Sequence, residues 1–247
     1  MSTPFIFGLD LGQSSDATAL AAIRQITHSA DGLALPSPEY HVQNLHRWKL
    51  GTSYPEMVED VAVMLDRPEF RGYRLAVDYT GVGRPVVDMF RRHPDMPVRI
   101  VPISITAGER WSWDKATMAY HVPKKELVSV LQVLLQRERL KIARTIPDAA
   151  VLGKELQNFR MKITASANET FGAWREGQHD DIVLAVAMAC WLGERTGAGK
   201  ASDITVGPPV EVERENVPDG VFASGVGGGG GSEARWSIPP SERGARD

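Results

Sequence analysis

The chain has 247 residues, 43% hydrophobic and 24% charged, with a formal net charge of -3, so it holds enough apolar material for a sizeable core. That near-neutral balance excludes a generally basic nucleic-acid coat protein, though not a local basic patch. A single cysteine, Cys190 within AVAMACWL, excludes a disulfide framework and a thiolate metal site. No apolar run reaches the roughly 18 residues of a membrane span, and the N-terminus lacks a signal-peptide pattern, so no membrane association is expected and a cytoplasmic location is.

In chain order, Phe5 to Asp10 reads as a buried strand, and Thr18 to Ile26 and Tyr40 to Leu50 read as two more, joined by links short enough for antiparallel pairing. YPEMVEDVAVMLDR places Tyr54, Met57, Val58, Val61, Met64 and Leu65 at helical spacing. RLAVD, Arg74 to Asp78, is a second strand ending in aspartate, followed by the turn YTGVG and a helix from about Pro85. VRIVPISI is a further strand. PKKELVSVLQVLLQRERL is a helix opened by Pro123. Another helix is expected around Leu152 to Phe159, then a polar hairpin in ITASANETFGAW, and last the helix DDIVLAVAMACWL.

From Gly197 onward the composition shifts to prolines and the run GVGGGGGS, Gly225 to Ser232. Residues 197–247 are therefore expected to be a disordered, flexible tail, and residues 1–196 a single α/β domain. The net negative charge belongs to that tail, because the acidic and basic residues of 1–196 balance.

The order of elements implies a mixed five-stranded sheet flanked by helices. A right-handed crossover through the first helix would set the fourth strand parallel to the first and beside it. Asp10 and Asp78 would then meet at the carboxyl edge, where ligands of open α/β sheets gather. Asp180 and Asp181 open the final helix. Carboxylates forced together raise one another's pKa, and hard divalent ions such as Mg²⁺ or Mn²⁺, which prefer oxygen ligands, remove that strain. Two such ions can activate water and stabilise the leaving oxygen of a phosphodiester.

FGLDLGQSSDATAL, LAVDYTGVGRPVVDMF, VPKKELVSVLQVLLQRERLKI and GQHDDIVLAVAMACW, in that order over roughly residues 5–195, resemble the nuclease domain of the large terminase subunit of tailed bacteriophages. The resemblance implies an RNase H-like fold and a metal-dependent endonuclease that cuts duplex DNA during genome packaging. It carries three metal-binding carboxylates over to Asp10, Asp78 and Asp181, holding two Mg²⁺ or Mn²⁺ ions. It also implicates Asp16, six residues after the first aspartate, and His179. Which of Asp180 and Asp181 ligates stays open, the other being suited to cap the helix.

The bland readings are real for each residue. A lone strand-end aspartate often caps a turn, Asp78 before TGVG suits an Asx-turn, and Asp180 and Asp181 suit a helix N-terminus. Lys124, Lys125, Arg137, Arg139, Lys141 and Arg144 form a basic run that is either a phosphate grip or a solvated face. Trp111 and Trp113 suit a DNA groove or a satellite core equally.

The sequence carries no G-x-x-x-x-G-K-[ST]. GAGKA near Lys200 has the wrong spacing, so a packaging ATPase is expected to be separate, alongside the small terminase subunit or portal as partners. Two alternatives stand beside this reading: a Holliday-junction resolvase-like nuclease, and an actin- or hexokinase-like nucleotide-binding phosphotransferase suggested by GLDLGQSS. A non-catalytic DNA-binding remnant is a third, disfavoured because no acid is missing.

Overall fold

The computed structural model describes residues 5–12, 16–27, 37–96, 100–165 and 180–196, with the backbone alone for 158–165. Its elements in chain order are β1 (Phe5–Asp10), β2 (Ala19–Ile26), β3 (Glu39–Arg47), α1 (Tyr54–Leu65), β4 (Arg74–Asp78), α2 (Gly83–Arg92), β5 (Ile100–Thr106), β6 (Ser112–Asp114), β7 (Ala119–Pro123), α3 (Lys124–Gln136), β8 (Leu140–Ile142), α4 (Ala149–Ala165) and α5 (Asp181–Thr196). The strands form one mixed sheet in the order β6-β7-β5-β4-β1-β2-β3-β8.

The five expected strands are its middle, β3-β2-β1-β4-β5, with β1 antiparallel to β2 and parallel to β4. This is the RNase H-like arrangement the motifs imply. Among the described residues the count of five is corrected to eight, for two local reasons. In WSWDKATMAYHVP the Asp114 carboxylate accepts from the Ala116 amide and the Thr117 hydroxyl, and Met118 takes a positive φ of 54°, so the chain turns back as the β6–β7 hairpin. Further on, the expected helix through RERL stops at Gln136. There the Glu138 amide bonds the Leu135 carbonyl and the Arg139 amide bonds that of Leu134, with Glu138 at φ 52°, a Schellman close. The released residues Leu140–Ile142 pair with Tyr40–Val42 as β8.

Two smaller differences follow the same logic. α4 runs on to Ala165, so Ile163 to Ala165 of the expected hairpin are helical, and the rest of that hairpin lies outside the described residues. The segment 197–247 lies outside them as well.

Alternation along β1 and β4 divides the core in two. Phe7, Leu9, Leu75 and Val77 pack under α1 and α2, and Ile6 and Ala76 pack under α5 and α3. α5 is buried around its whole girth from Asp181 to Gly193, as an all-apolar helix must be. Its small residues set how closely it lies on the sheet. A Cβ on Gly8 would fall 1.9 Å from the Ala185 carbonyl oxygen, and one on Gly193 would fall 2.4 Å from the Tyr40 ring and 2.9 Å from Ile6. Gly193 therefore sits over the start of β1 and Ala185 over its middle, and the helix runs antiparallel to the strand. At its far end Glu194 accepts from both terminal guanidinium nitrogens of Arg139 and from the Tyr40 hydroxyl, tying α5 to β3 and to the close of α3.

Candidate active site

The geometry of the acidic edge follows from register. β1 and β4 pair in parallel with Gly8 opposite Ala76 and Leu9 opposite Val77, so one residue further Asp10 and Asp78 end adjacent strands side by side. Both lie on the face of Ile6, Gly8 and Ala76, which is the face α5 covers. Asp10 is two residues beyond Gly8, about 7 Å along a strand. Asp181 is one helical turn before Ala185, about 6 Å back along α5. The antiparallel crossing therefore carries Asp181 to the same end.

All three are buried, with 7% of Asp10, 8% of Asp78 and 4% of Asp181 exposed. Burial, and then the charges of Asp78, Asp181 and Asp180, hold the Asp10 carboxyl well above its usual range, while Lys124 opposes. Asp78 is also raised by burial, against the Thr80 hydrogen bonds and Lys124. Its Oδ1 accepts from the Thr80 amide at 2.8 Å, so the Asx-turn expected from YTGVG forms at the same residue that faces the cluster.

Asp180 holds the N-cap position through its backbone, its carbonyl accepting from the Leu184 amide. Its carboxylate turns to Lys124, Nζ to Oδ2 at 2.9 Å. Arg47, at the end of β3, donates to Asp181 Oδ2 at 3.1 Å. Asp16 is exposed, and its backbone carbonyl lies close to Gly12, where a Cβ would fall 2.1 Å from it. His179 lies outside the described residues.

Sequence reasoning passed over Glu155. It is 7% exposed, its Oε2 accepts from the Val183 amide at 3.0 Å, and its Oε1 is buried without a hydrogen-bond partner among the described residues. Burial pushes its carboxyl up to about 7, with Asp181 and Asp180 adding to the rise and the Val183 amide and Arg47 opposing it. Nothing in KELQNF marks it, since a glutamate in a polar helix reads as solvent-facing. Arg47 gives no local signal either, and Lys124 was visible only as part of the basic run.

That run does not act as one surface. Lys124 faces the acids, Lys125 pairs with Glu109, Arg139 is buried against Glu194, and Arg137, Lys141 and Arg144 are exposed. Trp111 and Trp113 pack against the core, Trp111 carrying the Arg195 guanidinium 3.6 Å above its ring and Trp113 lying 4.6 Å from Tyr120.

The donor set is entirely carboxylate oxygen, partly desolvated and mutually repulsive, which is the chemistry a hard divalent cation neutralises. Among the described residues no three His, Cys, Asp or Glu side chains stand ready to hold an ion as they are. Arg47 and Lys124 hold oxygens of Asp181 and Asp180, and a cation would compete with them.

A pH dependence follows from the raised carboxyls. Their folded pKa values exceed those of the unfolded chain, so the folded form binds protons more tightly. The stability they contribute is complete below the ordinary carboxylate range near pH 4 and is lost as pH rises through the raised values, pushed up to about 7 for Glu155. The ion-free chain should therefore unfold at lower urea at pH 8 than at pH 5.5. Added Mn²⁺ should narrow that gap, because an ion bound only by the folded form stabilises it.

No protein-family model matches the chain. Over 66 residues it is 36% identical to the terminase large subunit of Thermus phage G20c, and equally to that of Thermus virus P23-45. The matched stretch covers 27% of this chain and 13% of the length of those relatives. Among solved structures, the large terminase nuclease of the thermophilic phage G20c aligns with 76% of this chain and 81% of its own, at 19% identity and a TM-score of 0.46. The Mn-soaked human cytomegalovirus terminase nuclease domain aligns with 76% and 82%, at 14% identity and 0.44. The Mn-bound large terminase nuclease domain of bacteriophage SPP1 aligns with 79% and 88%, at 12% identity and 0.45. The curated relatives that this chain is similar to are thus terminase large subunits, and the solved neighbours are terminase nuclease domains.

Proposed function

We propose that the chain is a metal-dependent endonuclease of the terminase large-subunit type, which cleaves duplex DNA during genome packaging. The observation that supports this best is the convergence of Asp10, Asp78 and Asp181, from three distant segments, on one desolvated sheet edge. These three would hold two Mg²⁺ or Mn²⁺ ions, with Asp180, Asp16 and His179 as secondary candidates. Bound there, the ions would supply Lewis acidity toward the scissile phosphate and toward the attacking water.

The chain's own residues have separate parts. Asp10 and Asp78 are fixed by the parallel ladder, and Asp181 by the seating of α5 on Gly8. Lys124, at the start of α3, brings a positive charge to the edge where the anionic backbone of DNA would lie. Contacts made chiefly to phosphates leave little sequence preference. The partners of this reading are double-stranded DNA, a packaging ATPase, and the small terminase subunit or portal.

Incubated with supercoiled plasmid and Mn²⁺ or Mg²⁺, the purified chain should nick and linearise it, and EDTA should stop the reaction. A panel of linear and four-way DNA separates this reading from a junction resolvase, which would favour the four-way substrate. Calorimetric binding of ATP would instead support the phosphotransferase. A chain inert on every DNA with either ion would end the nuclease reading.

A further inference from the structure

The first turn of a helix leaves amides without partners, and the N-cap side chain ordinarily takes that of the second or third helical residue. In α5 the cap position is Asp180 and the third residue is Val183. The Val183 amide is taken from outside the helix, by Glu155 of α4. Asp180 is thereby released from capping, and its carboxylate reaches Lys124 at the acidic edge. A negative group beside a helix N-terminus is also favoured by the helix dipole.

Glu155 does this at a cost. Its side chain is 7% exposed, and one of its oxygens is buried with no partner among the described residues, an arrangement that disfavours the fold. A buried carboxylate kept half-satisfied against the amide two residues beyond Asp181 is poorly explained by packing alone. We infer that Glu155 is a positioning residue of the carboxylate centre: by capping α5 from α4 it fixes the direction in which Asp181 projects, and keeps the Asp180 side chain out of the cap and turned to the acidic edge, where a divalent cation would compete with Lys124 and Arg47 for the pair. This rests on the cation reading given above.

The test uses the full chain, freed of ions, titrated with Mn²⁺ alone by calorimetry. Glu155→Ala removes the acceptor and should weaken Mn²⁺ binding about tenfold, the order seen when outer-shell partners of metal ligands are lost. Hydrogen exchange at the Val183 amide should accelerate in the same variant. Glu155→Gln keeps an oxygen acceptor for that amide and should bind within about threefold of the parent, which a role for the charge itself would not allow. Glu155→Asp keeps the charge but withdraws the oxygens by one methylene. It should weaken binding in the same direction as the alanine variant, and it decides the matter if the alanine variant does not fold.

Parent-like affinity in Glu155→Ala or Glu155→Asp, or equal loss in Glu155→Gln and Glu155→Ala, overturns the inference while leaving the cation reading standing. Absence of Mn²⁺ binding by the parent chain removes both.

Discussion

Asp10→Asn is expected to reduce plasmid cleavage by on the order of 10³-fold or more while making the ion-free protein more stable at pH 8. The first effect follows from losing a carboxylate that would hold the ions. Ions held there would contribute several kcal/mol to the transition state, and each 1.36 kcal/mol is about tenfold in rate. The second follows from the repulsion among Asp10, Asp78, Asp180 and Asp181 and from the desolvation of Asp10. Asparagine has the same shape and no charge, so it relieves both. The two effects have opposite signs, which separates them from unfolding. Nicking rates and thermal scans with and without Mn²⁺ measure both, and the stabilisation by Mn²⁺ should shrink in the variant. Full activity in Asp10→Asn would end the assignment.

Gly8→Ala is expected to destabilise the fold by about 3 kcal/mol or more, the upper end of the cost of overpacking a core. The added methyl would lie 1.9 Å from the Ala185 carbonyl oxygen and 2.8 Å from its carbon. Both are backbone atoms of a helix buried on every side, so no rotamer change relieves the clash and α5 itself has to lift. Since Asp181 is carried by that helix, the displacement also parts it from Asp10. Urea unfolding should show the loss of stability, and Mn²⁺ titration of the surviving folded protein should show weaker binding. A parent-like urea midpoint would mean that α5 does not sit on β1 as closely as described.

The frame of the site was legible because strand physics makes it so. An aspartate closing an apolar run is conspicuous at Asp10 and again at Asp78, and a helix between the third and fourth strands allows a right-handed crossover that sets the fourth beside the first, the parallel pairing that is found. Asp181 was legible as one of two acids opening an apolar helix. The two short strands of the hairpin, Ser112–Asp114 and Ala119–Pro123, were not, being too brief to show alternation. Nor was the stop of α3, where Glu138 rather than glycine takes the left-handed position. Glu155 and Arg47 escaped notice for a different reason. Their significance lies in which distant backbone or carboxylate they meet, and polar residues on a helix face or at a strand end carry no local mark of that. Asp16, implicated by the resemblance, is exposed.

The seating of Ala185 on Gly8 joins segments separated by most of the described chain. Contacts of such long sequence separation are slow to close and form late. During synthesis the strands bearing Asp10 and Asp78 emerge first, and the helix bearing Asp181 follows only after about a hundred more residues. A nascent or half-folded polypeptide thus carries two of the acids but not the assembled trio, so the order of translation itself delays the moment at which the carboxylate centre is complete.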